Sequence, residues 1–101
     1  MYTAEDKIVF DRYRQAAEAT VNMPSNWLTL KHSTYADMRV IMAIHLLRAG
    51  YKRVDIALYM QLDISNITRS IPKYEFRIKN EKKFQMLNDK FLEKLAHRQN
   101  K

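Results

Sequence analysis

The stretch that most constrains the fold runs from residue 53 to residue 71 and reads RVDIALYMQLDISNITRSI. Its apolar residues recur at the three- and four-residue spacing of a helix face, on both sides of a short break. Ala57 is the small residue where two short helices must approach closely. The pattern predicts two helices, over about residues 53–60 and 64–71, joined as a helix-turn-helix. The apolar positions are Ile56, Met60, Leu62, Ile67 and Ile71.

The second predicted helix carries polar residues on the side away from its apolar positions. They are Ser65, Asn66, Thr68 and Arg69. Their hydroxyl, amide and guanidinium groups are those that hydrogen-bond base edges in a DNA major groove, and Ile64 offers an apolar contact for a thymine methyl. The pattern therefore predicts a DNA-reading helix, although two short helices with an alanine at their contact also occur in helical bundles that bind no DNA.

Residues that begin and end helices flank this unit. The only glycine, Gly50, is placed to end the preceding helix in a left-handed conformation. Asp63 is placed to cap the second helix, and Gln61 stands where many such turns carry glycine, so a left-handed backbone there has a cost. Pro72 predicts that the second helix ends or kinks near residues 70–72, with Ser70 capping a continuation.

The remaining elements also begin at recognisable capping residues. Thr3 and Asp6 form a capping-box pattern for a first helix over about residues 3–21. Trp27 lies in a segment that we expect to form a short helical turn plugging into the core. Thr34 and Asp37 form a second capping pair, for the helix that follows them. We expect this helix to be central in the fold because its apolar residues cover more than one face.

Composition favours a single all-α domain of five or six helices. The 101 residues contain one Gly, two Pro and 47% hydrophobic residues, enough to bury a core. We place the N-terminal helix at about residues 3–21, a core with the helix-turn-helix at about 25–80, and a C-terminal helix at about 81–98, capped by Asn80. With no cysteine, no membrane-spanning apolar run and an N-terminus too acidic for a signal peptide, we expect a cytoplasmic protein. The predicted DNA binding would make it nucleoid-associated.

Charge is distributed unevenly along the chain. Residues 1–38 carry four Lys and Arg against five Asp and Glu, whereas residues 39–101 carry fourteen against six, within a total of +7. A basic half that contains the predicted helix-turn-helix favours a polyanionic partner such as double-stranded DNA. Basicity alone also occurs in small helical domains for solubility. The cations that we expect at phosphate or in the minor groove are Lys31, Arg39, Lys52, Arg53 and Lys73.

No pattern indicates catalysis, a metal or a cofactor. His32, His45 and His97 lie on three separate predicted elements, with no carboxylate at ligand spacing. A phosphate-binding loop needs several glycines, and the chain has one. We therefore predict that the protein is not an enzyme and that His45 is a packing residue of the central helix.

At the level of whole motifs, residues from about Ala16 to Leu95 resemble the C-terminal DNA-binding domain of the bacterial replication initiator DnaA. The helix around Arg39 is similar to that family's arginine-led helix, and residues 63–67, DISNI, fall on the signature that opens its recognition helix. Residues 31–33, KHS, correspond to its basic loop, which reaches the minor groove. The resemblance implies a Trp-repressor-like helical fold and a DNA-binding module without the family's ATPase function.

An apolar stripe on the last predicted helix supports a different hypothesis. The stripe consists of Phe84, Leu87, Phe91 and Leu95. Such a stripe is either intramolecular core or a surface that docks a partner helix or a second copy. The alternative function is therefore a protein-interaction or dimerisation module without DNA binding.

Overall fold

The computed structural model describes residues 1–99, all of whose regular secondary structure is helical. Five α-helices follow one another: α1 (Ala4–Thr20), α2 (Ser33–Arg48), α3 (Arg53–Met60), α4 (Ile64–Asn80) and α5 (Lys82–Gln99). A short 3-10 helix, Trp27–Thr29, lies between α1 and α2. The predicted all-α class is confirmed for this part of the chain.

Two predicted N-caps are present. The Thr3 amide donates to the Asp6 carboxylate at 3.3 Å and the Asp6 amide donates to the Thr3 hydroxyl at 3.0 Å, so α1 begins with a full capping box. At the start of α4, the Ser65 amide donates to the Asp63 carboxylate at 3.2 Å. Each bond satisfies a backbone amide that has no partner within its helix.

The predicted caps of α2 and α5 are wrong. α2 begins one residue before Thr34, and the cap is His32, whose Nδ1 accepts from the Thr34 amide at 3.3 Å. Asp37 is buried and accepts instead from the Tyr74 hydroxyl at 2.6 Å. Asn80 is the last residue of α4, where its side chain donates back to the carbonyl of Phe76 at 2.8 Å.

Gly50 ends α2 as expected. Its φ is +100°, its amide donates to the Leu47 carbonyl, and the Tyr51 amide donates to the Leu46 carbonyl. This pair of bonds is a Schellman motif, which satisfies the last carbonyls of a helix and reverses the chain. The motif directs residues 51 and 52 away from α2 and into α3.

The core lies around α2, which packs against α1, α3 and α4. Met38, Ile41, Met42 and Leu46 of α2 are fully buried. The 3-10 helix inserts Trp27, which is also fully buried while its indole N–H donates to the Glu18 carboxylate of α1 at 2.9 Å. The predicted plug is therefore present.

Most of the apolar stripe of α5 is buried, and Phe91 and Leu95 belong to this core. Phe84, Phe91 and Leu95 are each at most 6% exposed, and Leu87 is partly buried. The Phe91 ring stacks on the His45 ring with centroids 5.6 Å apart. Of the two alternatives for the stripe, its three buried members follow the intramolecular one, because α5 packs against α1 and α4. The Phe84 ring, for example, meets the Tyr74 ring of α4 edge to face.

Pro72 lies inside α4, so of the two predicted outcomes an end near residues 70–72 is wrong, and Ser70 lies within the helix and does not cap a continuation. An interior proline costs about 3 kcal/mol, chiefly because one backbone bond is lost. Ile67 and Ile71 are buried before it, and Tyr74 and Ile78 pack against the core after it. Packing on both sides holds the two halves in one helix, while Pro72 itself faces solvent.

No helix among residues 1–99 combines the length and the apolar character needed to cross a lipid bilayer.

Candidate nucleic-acid interface

A tight turn joins α3 to α4. Gln61 has a left-handed backbone with φ 57°, the predicted departure from glycine at this position. The Leu62 amide donates to the Ala57 carbonyl at 2.9 Å, and the Gln61 amide donates to the Leu58 carbonyl at 3.4 Å. Ala57 is 6% exposed, which fits its predicted place where helices approach closely. The turn therefore sets the direction in which α4 leaves α3.

The first two turns of α4 have one buried and one exposed side. Ile67 and Ile71 are 3% and 7% exposed and pack into the core. All five predicted base-contacting residues are exposed, namely Ile64, Ser65, Asn66, Thr68 and Arg69. The structure therefore brings this predicted set together on one solvent-facing surface, which we call the α4 face.

Local hydrogen bonds order the α4 face. An Arg69 guanidinium nitrogen donates to the Asn66 amide oxygen at 2.7 Å, which links the two side chains across one helical turn. The Thr68 hydroxyl donates to the Ile64 carbonyl at 3.0 Å. Asn66 keeps its amide N–H groups and Arg69 keeps further N–H groups for an outside acceptor. The face thus presents several donors in a defined arrangement.

The α4 face carries one positive charge, that of Arg69, and no negative one. No acidic residue occurs between Ile64 and Tyr74, whereas Arg69 and Lys73 lie within that segment. Lys52 and Arg53 are exposed at the start of α3, and the N-terminal end of a helix adds a partial positive charge. Lys31 is exposed in the loop before α2. Four of the five predicted phosphate contacts are therefore solvent-accessible cations.

Arg39, the fifth predicted phosphate contact, has an internal role. Its Nη1 donates to the carbonyls of Trp27, Leu28 and Leu30 at 3.0, 3.3 and 3.0 Å. Burial lowers the pKa of the guanidinium. Arg39 thus holds the 3-10 helix and the base of the loop that carries Lys31, so it acts as a positioning residue.

Two tyrosines tie the α3–α4 unit to the rest of the fold. The Tyr74 hydroxyl of α4 donates to the buried Asp37 of α2, and burial together with this bond raises the pKa of Tyr74 to about 12. The Tyr59 hydroxyl of α3 donates to Asp11 of α1, and burial together with this bond raises the pKa of Tyr59. These bonds restrict how α3 and α4 can move relative to α1 and α2.

One exposed residue of α4 escaped the sequence analysis. Phe76 is 65% exposed and lies seven residues after Arg69, about 10 Å along the same face. The spacing from Ser65 to Arg69 to Phe76 is four and then seven residues, which is a helical repeat. The signal was present in the sequence, but the predicted end or kink near residues 70–72 hid that Phe76 continues the face of Ser65 and Arg69.

The histidines form no common site. Among residues 1–99 no group of three or more metal-ligating side chains comes together. His45 is 8% exposed, its Nε2 lies 2.6 Å from the Asn88 amide oxygen, and burial lowers its pKa. A neutral His45 that donates to Asn88 is the packing residue that the sequence predicted.

Comparison of the chain with known protein families, with curated proteins and with solved structures found no match. The resemblance to the DnaA domain therefore stays a prediction made from residue patterns.

Proposed function

We propose that the protein binds double-stranded DNA, with the first two turns of α4 in the major groove. In this proposal α3, the turn at Gln61 and α4 form a helix-turn-helix of the Trp-repressor-like kind. The observation that carries it is the α4 face, on which polar, non-acidic side chains are exposed while the opposite side of the same helix is buried.

Base recognition is assigned to the hydrogen-bonding residues of the α4 face. Arg69 has the geometry to donate two bonds to guanine, and Asn66 can pair with adenine. The bond between them orients both side chains before DNA arrives, so less rotamer freedom is lost on binding. Ser65 and Thr68 add hydroxyls, and Ile64, 43% exposed, is placed for a thymine methyl.

Phosphate contacts are assigned to the accessible cations around the α4 face. Lys52 and Arg53 are exposed at the start of α3, the helix that precedes α4, and Lys73 lies one turn beyond Arg69. Lys31 reaches the backbone or the minor groove from the loop that Arg39 holds in place. Such contacts position a protein on the duplex without selecting its sequence.

Two substitutions separate these roles. Arg69→Ala removes a base contact, so we expect loss of discrimination between the preferred duplex and an unrelated one, by about 1–3 kcal/mol. Lys52→Ala removes a phosphate contact, so affinity for both duplexes should fall equally. The slope of the logarithm of affinity against the logarithm of salt concentration should become shallower by about one. Fluorescence anisotropy with both duplexes measures these quantities.

The matched control is Arg12→Ala, which removes an exposed cation of α1. This variant should retain both the affinity and the discrimination of the parent. Equal and small effects of Arg69→Ala and Lys52→Ala, no larger than that of the control, would refute the proposed docking. A protein that acts in this way would be found at the nucleoid, as a regulator of transcription or as a replication-associated or phage-type protein.

A further inference from the structure

A second surface lies between the end of α1, the start of α2 and the side of α5. It is a groove of about 440 Å³ that is open to solvent. Two turns of α5 supply one wall through Lys83, Met86, Leu87 and Lys90, which are spaced by three, one and three residues. Met86 is 62% exposed, a high value for so large an apolar side chain. None of these residues belongs to the α4 face.

The two buried polar residues of the groove, Thr20 and Asp37, already have hydrogen-bond partners within the fold. The Thr20 hydroxyl donates to the Ala16 carbonyl at 2.7 Å, and Asp37 accepts from Tyr74. The buried side-chain nitrogen and oxygen atoms of residues 1–98 all have partners. The groove therefore suits apolar side chains and has little to offer a polar molecule.

The rim of the groove is basic. Lys83 and Lys90 both line the groove, and neither forms an ion pair within the part of the chain that the structure describes. Asp37 is the one acidic residue of the lining, and it is 7% exposed. A second copy of the chain would bring another +7 charge, so the complementary partner is acidic.

The shape of the groove favours a helix over a small molecule. Small-molecule sites enclose most of their ligand, whereas this groove is open along α5. Lys83 and Lys90 are seven residues apart, about 10 Å along the helix, which matches two turns of a partner helix. Apolar side chains at positions i and i+4 of that helix would meet Met86 and Leu87.

We propose that this groove docks an acidic amphipathic helix of another protein. Two apolar side chains of the partner lie against Met86 and Leu87, and carboxylates beside them face Lys83 and Lys90. The proposal goes beyond DNA binding and rests on no part of it. It gives the exposed Met86 a function that the core does not.

The probe for this proposal is a synthetic helical peptide with two leucines four residues apart, surrounded by glutamates. The control peptide has the same composition, with its two leucines on opposite faces. Amide chemical shifts of the isotopically labelled full chain report where each peptide binds. We expect the first peptide to shift Thr34, Met86, Leu87 and Lys90, and the control peptide to shift none of them at the same concentration.

Charge reversal then tests the rim. The double variant Lys83→Glu, Lys90→Glu should raise the Kd of the first peptide at least about tenfold, because two attractions become repulsions. The matched control is Lys79→Glu, Lys82→Glu, which makes the same charge change on exposed residues outside the groove. It should leave the Kd within about twofold. Urea midpoints of both double variants establish that they are folded.

Three results would overturn the proposal. The first is no chemical-shift change with the amphipathic peptide at about 1 mM. The second is equal binding of the two peptides, and the third is equal weakening by the two pairs of substitutions, which would show attraction to overall charge alone. Since the experiment contains no DNA, each of these results leaves the proposed DNA binding standing.

Discussion

Because Gln61 has a left-handed backbone, we predict that replacing it by glycine stabilises the protein. A side chain at φ 57° costs about 1–2 kcal/mol relative to the right-handed conformation, and glycine is free of that cost. Glycine also gives the unfolded chain more conformational entropy, which offsets about 0.4–1 kcal/mol of that gain in stability. Gln61→Gly should therefore raise the free energy of unfolding by about 0.5–1 kcal/mol and the Tm by about 2–8 °C.

The same exchange at Gln15 provides the matched control. Gln15 is exposed in the interior of α1, where glycine costs about 1 kcal/mol, so Gln15→Gly should change stability in the opposite direction. Gly50→Ala tests the other left-handed position. An added Cβ there has no atom within 4 Å, so its expected cost of about 1 kcal/mol arises from the backbone alone.

The assay is urea unfolding followed by helical circular dichroism, with the midpoint and slope compared among the variants. An unchanged slope shows that a shifted midpoint reports a change in the free energy of unfolding. The reasoning is refuted if Gln61→Gly is no more stable than the parent while Gln15→Gly loses the expected stability. That pair of results would mean that residue 61 is not left-handed and that the turn before α4 is built differently.

Other predictions concern the hydrogen bond from Tyr74 of α4 to Asp37 of α2, the buried His45, and the paired side chains of Asn66 and Arg69. Tyr74→Phe leaves the buried Asp37 without its hydrogen-bond donor, so the urea midpoint should fall by the equivalent of about 1–3 kcal/mol. An unchanged midpoint would show that this hydrogen bond does not stabilise the fold. Burial lowers the pKa of His45, so the unfolded state takes up its proton first, and stability should decline as pH falls below about 6.5. His45→Gln should flatten that decline, and an identical pH profile would rule out His45 as its cause. Alanine substitutions of Asn66 and Arg69 should be non-additive in DNA binding because one hydrogen bond joins them, and strictly additive losses would show that they act independently.

The parts of the fold that the sequence predicted are those encoded by neighbours along the chain. The capping box of α1, the Asp63 cap and the left-handed Gly50 each depend on residues within a few positions of one another. Their backbone bonds follow from local chemistry. The exposed side of α4 followed in the same way, because helical periodicity separates the two faces before any tertiary contact is known.

The errors arose where distant contacts outweigh local preference. Pro72 is a strong helix breaker, yet packing of Ile71 before it and Tyr74 after it keeps α4 continuous. Arg39 looked like a free cation, but carbonyls nine to twelve residues earlier occupy its guanidinium. Phe91 belongs to the apolar stripe of α5, and helical spacing alone does not tell whether such a stripe is covered by the same chain or by a partner. No local pattern contains this information.

The central claim is that the α4 face reads duplex DNA, and selection from a randomised duplex pool tests it most directly. The bound fraction is sequenced, and anisotropy is then recorded over a salt series with the selected duplex. The account predicts an enriched motif that Arg69→Ala erases, together with a steep loss of affinity as salt rises. A steep salt dependence without any motif would mean that the protein contacts the backbone alone, and no binding at low salt would contradict the account.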